Sequence, residues 1–141
     1  MVLDGLGDDS PHVRRAATDA LGLHPHLDHV RPLLEALAAV PAHDEHLLHA
    51  LRIALRNNIR AVDRLEQLAD LKKDKAAMRR LMDVALALET PVAGELLLAG
   101  ISDTNVDRAE LAKYLRHIAR NTPAECLDRL ADVVQKRFSD D

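Results

Sequence analysis

The stretch Asp44-Glu45-His46-Leu47-Leu48-His49-Ala50-Leu51-Arg52-Ile53-Ala54-Leu55-Arg56-Asn57-Asn58 sets the terms for the whole chain. At about 100° of rotation per residue, Leu47, Leu48, Leu51, Ala54 and Leu55 fall within an arc of about 120°, the mark of an amphipathic helix rather than a strand. Asp44 stands where a carboxylate can accept the free N–H groups of the first turn. Asn57-Asn58 predicts the break at the other end.

The same pattern extends outward in both directions. Toward the amino end, a helix from about Pro25 carries Leu27, Val30, Leu34, Leu37 and Ala38, and Pro41 stops it. Before it, Ser10-Pro11 suits a helix start, with Ser as N-cap and Pro at the first position, followed by Val13, Ala16, Ala17, Ala20 and Leu21, and Gly22 as terminator. Toward the carboxyl end, Ile59, Val62, Leu65, Leu68 and Ala69 predict a fourth helix. A fifth runs from about Asp74 with Ala77, Met78, Leu81, Met82, Ala85 and Leu88 inward. The sixth, residues 92–101, is apolar all round and is expected to be buried on more than one side. After a polar break at 102–105, a seventh helix carries Leu111, Ala112, Leu115, Ile118 and Ala119. An eighth carries Cys126, Leu127, Leu130, Ala131, Val134 and Phe138, with Thr122 and Glu125 placed as a capping box.

Composition agrees with this all-helical reading. The 141 residues include 25 Leu and 22 Ala against 14 Val plus Ile, with five Gly, one Tyr, one Phe and no Trp. A sandwich or barrel needs far more β-branched and aromatic positions between its turns. The predicted architecture is an α-α superhelix in one domain over residues 1–141, with four antiparallel pairs at about 10–40, 44–70, 74–101 and 107–138. Pair starts recur every 30 to 34 residues, a repeat period in the solenoid range.

Asp8-Asp9-Ser10-Pro11-His12-Val13-Arg14-Arg15-Ala16-Ala17, continuing through Ala20-Leu21-Gly22, resembles the first helix of a HEAT repeat: an acidic residue, a Pro, Val-Arg, two small residues and Leu-Gly. The other three pairs lack Pro-x-Val-Arg, so the resemblance speaks to architecture. It implies a scaffold or protein-interaction module. From Asp8 to about Arg56 the chain also resembles the HEAT segment of large planctomycete-type multidomain proteins with dehydrogenase-like and haem-binding parts. That second resemblance implies an accessory helical domain of an exported haem-containing oxidoreductase as the alternative. Cys-x-x-Cys-His is absent and Cys126 is followed by Leu-Asp-Arg, so no haem or other cofactor is assigned to any residue.

Charge is segmented although the net is -4: residues 1–51 carry 8 acidic and 3 basic groups, 52–80 carry 4 and 9, and 81–141 carry 11 and 7. Arg52, Arg56, Arg60 and Arg64 recur every four residues in the basic band, which either receives an anionic partner or pairs internally; a helix break at Asn57-Asn58 would split that ladder. Some HEAT-like folds are alkylbase DNA glycosylases, but the acidic net charge and the missing aromatics argue against nucleic acid. Tyr114 and Phe138 fall at helical positions suited to packing.

Seven of eight histidines lie in the first 49 residues. His46 and His49, and His24, His26 and His29, are weak metal candidates, better read as solvated positions, so no metal site is assigned. Phosphate loops, His-Glu-x-x-His and Gly-x-Ser-x-Gly are absent from the sequence, Ser10 reads as a cap, and Cys126 as a packed thiol, so no catalytic residue is assigned. No 18-residue apolar run reads as a membrane span. The location is expected to be cytoplasmic if Met1 is the native start and exported if this is a module of a haem protein.

Candidate partner contacts are polar positions on the second helices, Arg31 and Glu35, Arg64 and Gln67, and Arg129 and Asp132, together with Arg52 and Arg56. The first helix has only residues 1–9 before it, whereas Asp128, Asp132, Gln135, Lys136 and the tail 139–141 cap the last. The expectation is a homodimer through the open amino-terminal end or natural continuation of that end by preceding sequence.

Overall fold

A computed structural model describes residues 1–103 and 105–139, and all regular structure among them is helical. The α-helices are α1 (Pro11–Leu23), α2 (Val30–Ala39), α3 (Glu45–Arg60), α4 (Lys75–Ala85), α5 (Pro91–Asp103), α6 (Arg108–Asn121) and α7 (Leu127–Phe138). Tighter 3-10 turns form at Val2–Gly7, Leu27–His29, Leu65–Lys73 and Ala124–Cys126. Thr104, inside the expected polar break, and Asp140 and Asp141, in the expected polar tail, lie outside the described residues. The chain forms two compact units, Met1–Asp63 and Arg64–Asp141.

In the first unit, α3 packs on both α1 and α2, and α1 packs more heavily on α3 than on α2, its expected hairpin partner. Asp44 caps α3 as its sequence position implies, accepting the Leu47 N–H at 3.1 Å. Ser10 does not cap α1 with its hydroxyl. Its own N–H is taken by Asp8 Oδ1 at 2.8 Å, and Arg14 Nη1 donates to the Asp8 and Asp9 carbonyls at 2.7 and 3.0 Å, lashing residues 8–9 to the helix.

Residues Val2–Gly7 lie against α1, with Gly5 close to Ala17, so part of the face expected to be open is covered. The buried stripe of α1 is Ala17, Thr18, Leu21 and Gly22, while Val13 and Ala16, expected inside, are exposed. Gly22 does not end the helix. A Cβ there would lie 3.1 Å from Ala54 Cα, so glycine serves the close approach of α3.

Asn57-Asn58 is no break either, because α3 runs through it to Arg60. Asn58 is fully buried. Its Nδ2 donates to the carbonyls of Leu21 (3.0 Å) and Ala54 (2.8 Å), its Oδ1 accepts the His26 N–H (2.8 Å), and Asn57 Nδ2 donates to the Gly22 carbonyl (3.0 Å). Partners from another element offset the poor helix propensity of Asn. The bond to His26 also holds that residue extended, so α2 begins at Val30 after a 3-10 turn rather than near Pro25. Arg15 meets Asp44 near the start of α3, while Leu21 and Gly22 meet Asn58 and Asn57 near its end, so α1 and α3 run the same way.

In the second unit, residues 65–73 are a kinked 3-10 segment instead of the expected fourth α-helix. Leu65, Leu68 and Leu71 are its buried residues, spaced by three, and a helix of three residues per turn puts all of them on one side. Ala69, expected inward, is exposed. Asp74 caps α4, accepting from Ala76 and Ala77 at 3.0 Å each, and Asp107 caps α6 through Ala109 at 3.2 Å.

α5 packs on α4, on α6 and on the 65–73 segment, and buries Val92, Ala93, Gly94, Leu96, Leu97, Leu98, Ala99, Gly100 and Ile101, as its all-round apolar sequence predicts. Arg79 of α4 pairs with Glu110 of α6, and Asp83 accepts from Tyr114 Oη at 3.0 Å, both 31 residues apart in sequence. α4 and α6 therefore also run the same way. α7 buries none of its residues, and Phe138, expected to pack, is 40% exposed. It is tied down by Arg137 Nη2, which donates to the Ile101 carbonyl at 2.7 Å, and by Arg108 over the Phe138 ring at 5.4 Å. The expected Thr122–Glu125 capping box does not form: Thr122 Oγ1 is buried without a hydrogen-bond partner, close to the place a Cβ on Gly94 would occupy.

Candidate interaction surface

Two concavities of the first unit bear on a binding role. One, of about 320 Å³, is floored by Leu47 and Leu51, walled by Leu6, Ala36 and Val40, and has Asp8 and Asp9 at its mouth. The other, of about 260 Å³, is a groove between α1 and α3. Its base is Gly22 against Ala54, where the two backbones approach, and Ala50 adds nothing to fill it. Leu23 and Ile53 line it and stand 76% and 36% exposed, large aliphatic groups that folding has left in water. Asp19 on the α1 wall is the carboxylate that lines it.

α3 continues from this groove onto a basic outer face. Arg56 and Arg60 follow Ile53 by three and seven residues, so they lie on its side of the helix, and Arg52 is one turn before Arg56. Among the described residues none of the Arg52, Arg56 and Arg60 side chains has an ion pair or hydrogen bond, so internal neutralisation does not account for the row. The ladder is not split at Asn57-Asn58. It ends at Arg60 instead, because Ala61 caps the helix and Arg64 is extended at φ -140° and ψ 138°.

The other sequence candidates lie on separate elements and are not brought together. Arg31 and Glu35 are exposed one turn apart on α2. Arg64 donates its backbone N–H to Gln67 Oε1 at 3.1 Å, opening the 65–73 segment, and both are exposed. Arg129 and Asp132 are exposed on α7. Sequence reasoning passed over Leu23 and Ile53. Ile53 falls outside the 120° arc of α3 and Leu23 follows a presumed terminator, and an aliphatic residue off the buried arc was the available signal.

Electrostatics elsewhere are structural. The Asp44 carboxyl is held below its usual range, first by the Leu47 N–H and also by Arg15, against an opposing effect of burial. Burial pushes Tyr114 up to about 12, and the hydrogen bond to Asp83 adds to it. Burial, the largest single effect, lowers the Arg79 pKa, but the hydrogen bond to Glu110 and the surrounding charges of Tyr114, Glu110 and Asp83 together leave it raised. The His26 and His29 rings are 5.5 Å apart, and His26 Nδ1 accepts the Asp28 N–H at 3.2 Å. Among the described residues no group of three or more His, Cys, Asp and Glu side chains is placed to hold a metal ion, and no helix is long and apolar enough to cross a membrane. Cys126 is half-buried and unpaired with any other cysteine. No protein-family model matches the chain, and neither a curated protein nor a solved structure shows significant similarity to it.

Proposed function

We propose that the chain is a non-catalytic protein-interaction module of HEAT-like helical-repeat type. The observation that carries this reading is the α1–α3 groove, where Leu23 and Ile53 are held in water beside a base of small residues. Scattered exposed aliphatics are ordinary, but two flanking one concavity are where a partner's apolar side chain gains most from leaving water. The repeat reading is supported by register. α1 and α3 run the same way with contacts 29 to 37 residues apart, and α4 and α6 do so with contacts 31 apart, as successive first helices of a stacked array would. The partner is read as a protein rather than a nucleic acid, since Tyr114 is buried and the one exposed aromatic ring, Phe138, is already covered by Arg108, which leaves no row of rings on which successive bases could stack.

The test is selection of binders from a random peptide display library on the immobilised chain, followed by methyl NMR. Selected peptides that shift the Ile53 and Leu23 methyl signals, and lose binding in Ile53→Asp, support the reading. Peptides that bind equally well to Ile53→Asp and leave those methyl signals unmoved refute it.

A further inference from the structure

Resting on the interaction reading above, we infer that the occupant of the α1–α3 groove is an acidic amphipathic helical segment of a partner protein, which places an aliphatic side chain between Leu23 and Ile53 and a row of carboxylates along Arg52, Arg56 and Arg60. Three features on α3 converge on this chemistry. The arginines repeat at four-residue intervals on one helix, a spacing that glutamates one turn apart on a second helix can match. They are unpaired among the described residues, so a partner's carboxylates displace water and counter-ions rather than an existing ion pair. They adjoin the aliphatic rim through Ile53, so one amphipathic helix can meet the charged row and the groove together.

The surrounding charges orient the partner. Asp19 on the α1 wall repels a carboxylate, and Glu45 in the first turn of α3 does so at that end of the helix. The acidic row is thereby directed to the outer edge of α3 and toward its carboxyl end, where Arg60 sits in the last turn. Guanidinium groups suit this use, since each can take a carboxylate in bidentate fashion. A base formed by Gly22, Ala50 and Ala54 leaves room for a Leu or Ile side chain.

The experiment uses the full chain and synthetic helical peptides of about 18 residues, long enough to hold helix in solution. One carries leucines along a stripe with glutamates at i, i+4 beside it. A second has lysine for every glutamate, a third has alanine for every leucine, and a short labelled DNA duplex is the fourth probe. Binding is read by fluorescence anisotropy and by the Ile53 methyl signal.

The glutamate–leucine peptide is expected to bind best and to weaken on the order of tenfold in R52E/R56E/R60E. The same triple variant is expected to gain affinity for the lysine peptide, a charge swap that a misfolded variant cannot produce. If glutamate and lysine peptides bind alike and the triple variant changes neither, the inference fails while the interaction reading stands. If no peptide moves the Ile53 methyl signal, both fail. A duplex that outcompetes the acidic peptide and is lost in the triple variant overturns the inference in favour of a nucleic-acid surface.

Discussion

Replacing Asn58 should unpin the loop before α2 and the end of α1 at once. Its side chain is fully buried and makes three hydrogen bonds, of which those to the His26 N–H and the Leu21 carbonyl join it to other elements. The Ala54 carbonyl keeps its helical environment when the side chain is cut, so Asn58→Ala leaves two groups without their partner. At about 1–3 kcal/mol for each stranded buried group, the variant should lose about 3 kcal/mol.

A further substitution separates hydrogen bonding from lost volume. In Asn58→Asp the carboxylate still accepts from His26 but faces the Leu21 and Ala54 carbonyl oxygens, so its protonated form is favoured in the fold and its pKa is raised there. The sign follows from that. Below the unfolded value of about 3.9 the introduced carboxyl is neutral in both states, and its O–H can donate to a carbonyl. As pH rises above that value the unfolded state ionises first, and the folded state loses stability relative to wild type. Urea denaturation followed by circular dichroism at acid and neutral pH measures both effects, and amide exchange at His26 reports the local one. A loss below about 1 kcal/mol in Asn58→Ala, or an Asn58→Asp deficit independent of pH, would refute the reasoning.

Other outcomes follow from the same structure. Tyr114 is the single tyrosine in a chain without tryptophan, so absorbance titration reports it alone. Its midpoint should fall near 12, and the stability linked to it should be intact below about 10 and lost as pH rises toward 12; a midpoint near 10 contradicts the buried hydrogen bond to Asp83. Gly94→Ala should destabilise by about 1–3 kcal/mol, because the new Cβ would lie 2.8 Å from the Thr122 backbone nitrogen. Gly100→Ala should destabilise as well, since its Cβ would meet Sδ and Cγ of the fully buried Met82, and calorimetry showing no loss in either variant would count against this reading of the α5 packing. α7, with no buried residue, should exchange its amides faster than α5 in mass-spectrometric hydrogen exchange, and comparable protection in the two helices would refute its peripheral placement.

How much of this was legible in sequence depends on the range of the forces involved. Asp44, Asp74 and Asp107 declared helix starts because a cap acts within three residues, and α5 declared its burial because its own composition decides it. Asn57-Asn58 misled because two asparagines in sequence signal a turn, while the carbonyls that hold them in α3 belong to α1, more than thirty residues away. Residues 65–73 misled differently. Leucines spaced by three fit either helix type, and packing selected the tighter one. In the candidate surface, the arginine row was readable as a period of four. Its extent to Arg60 and the neighbouring groove were not, since both depend on where α3 ends and on which face meets α1.

The all-round apolarity of α5 has a consequence for the order of synthesis. When residues 91–103 emerge, α4 already exists but α6 does not, so one side of an almost uncharged helix waits for a cover still being made. At about 5–20 residues per second the wait lasts on the order of one to a few seconds, long compared with collapse of a short chain. Nascent chains halted after residue 103 would therefore expose a sticky face to one another. Of the two units, Arg64–Asp141 is the one whose yield in a cell should respond most to translation speed and to chaperone supply.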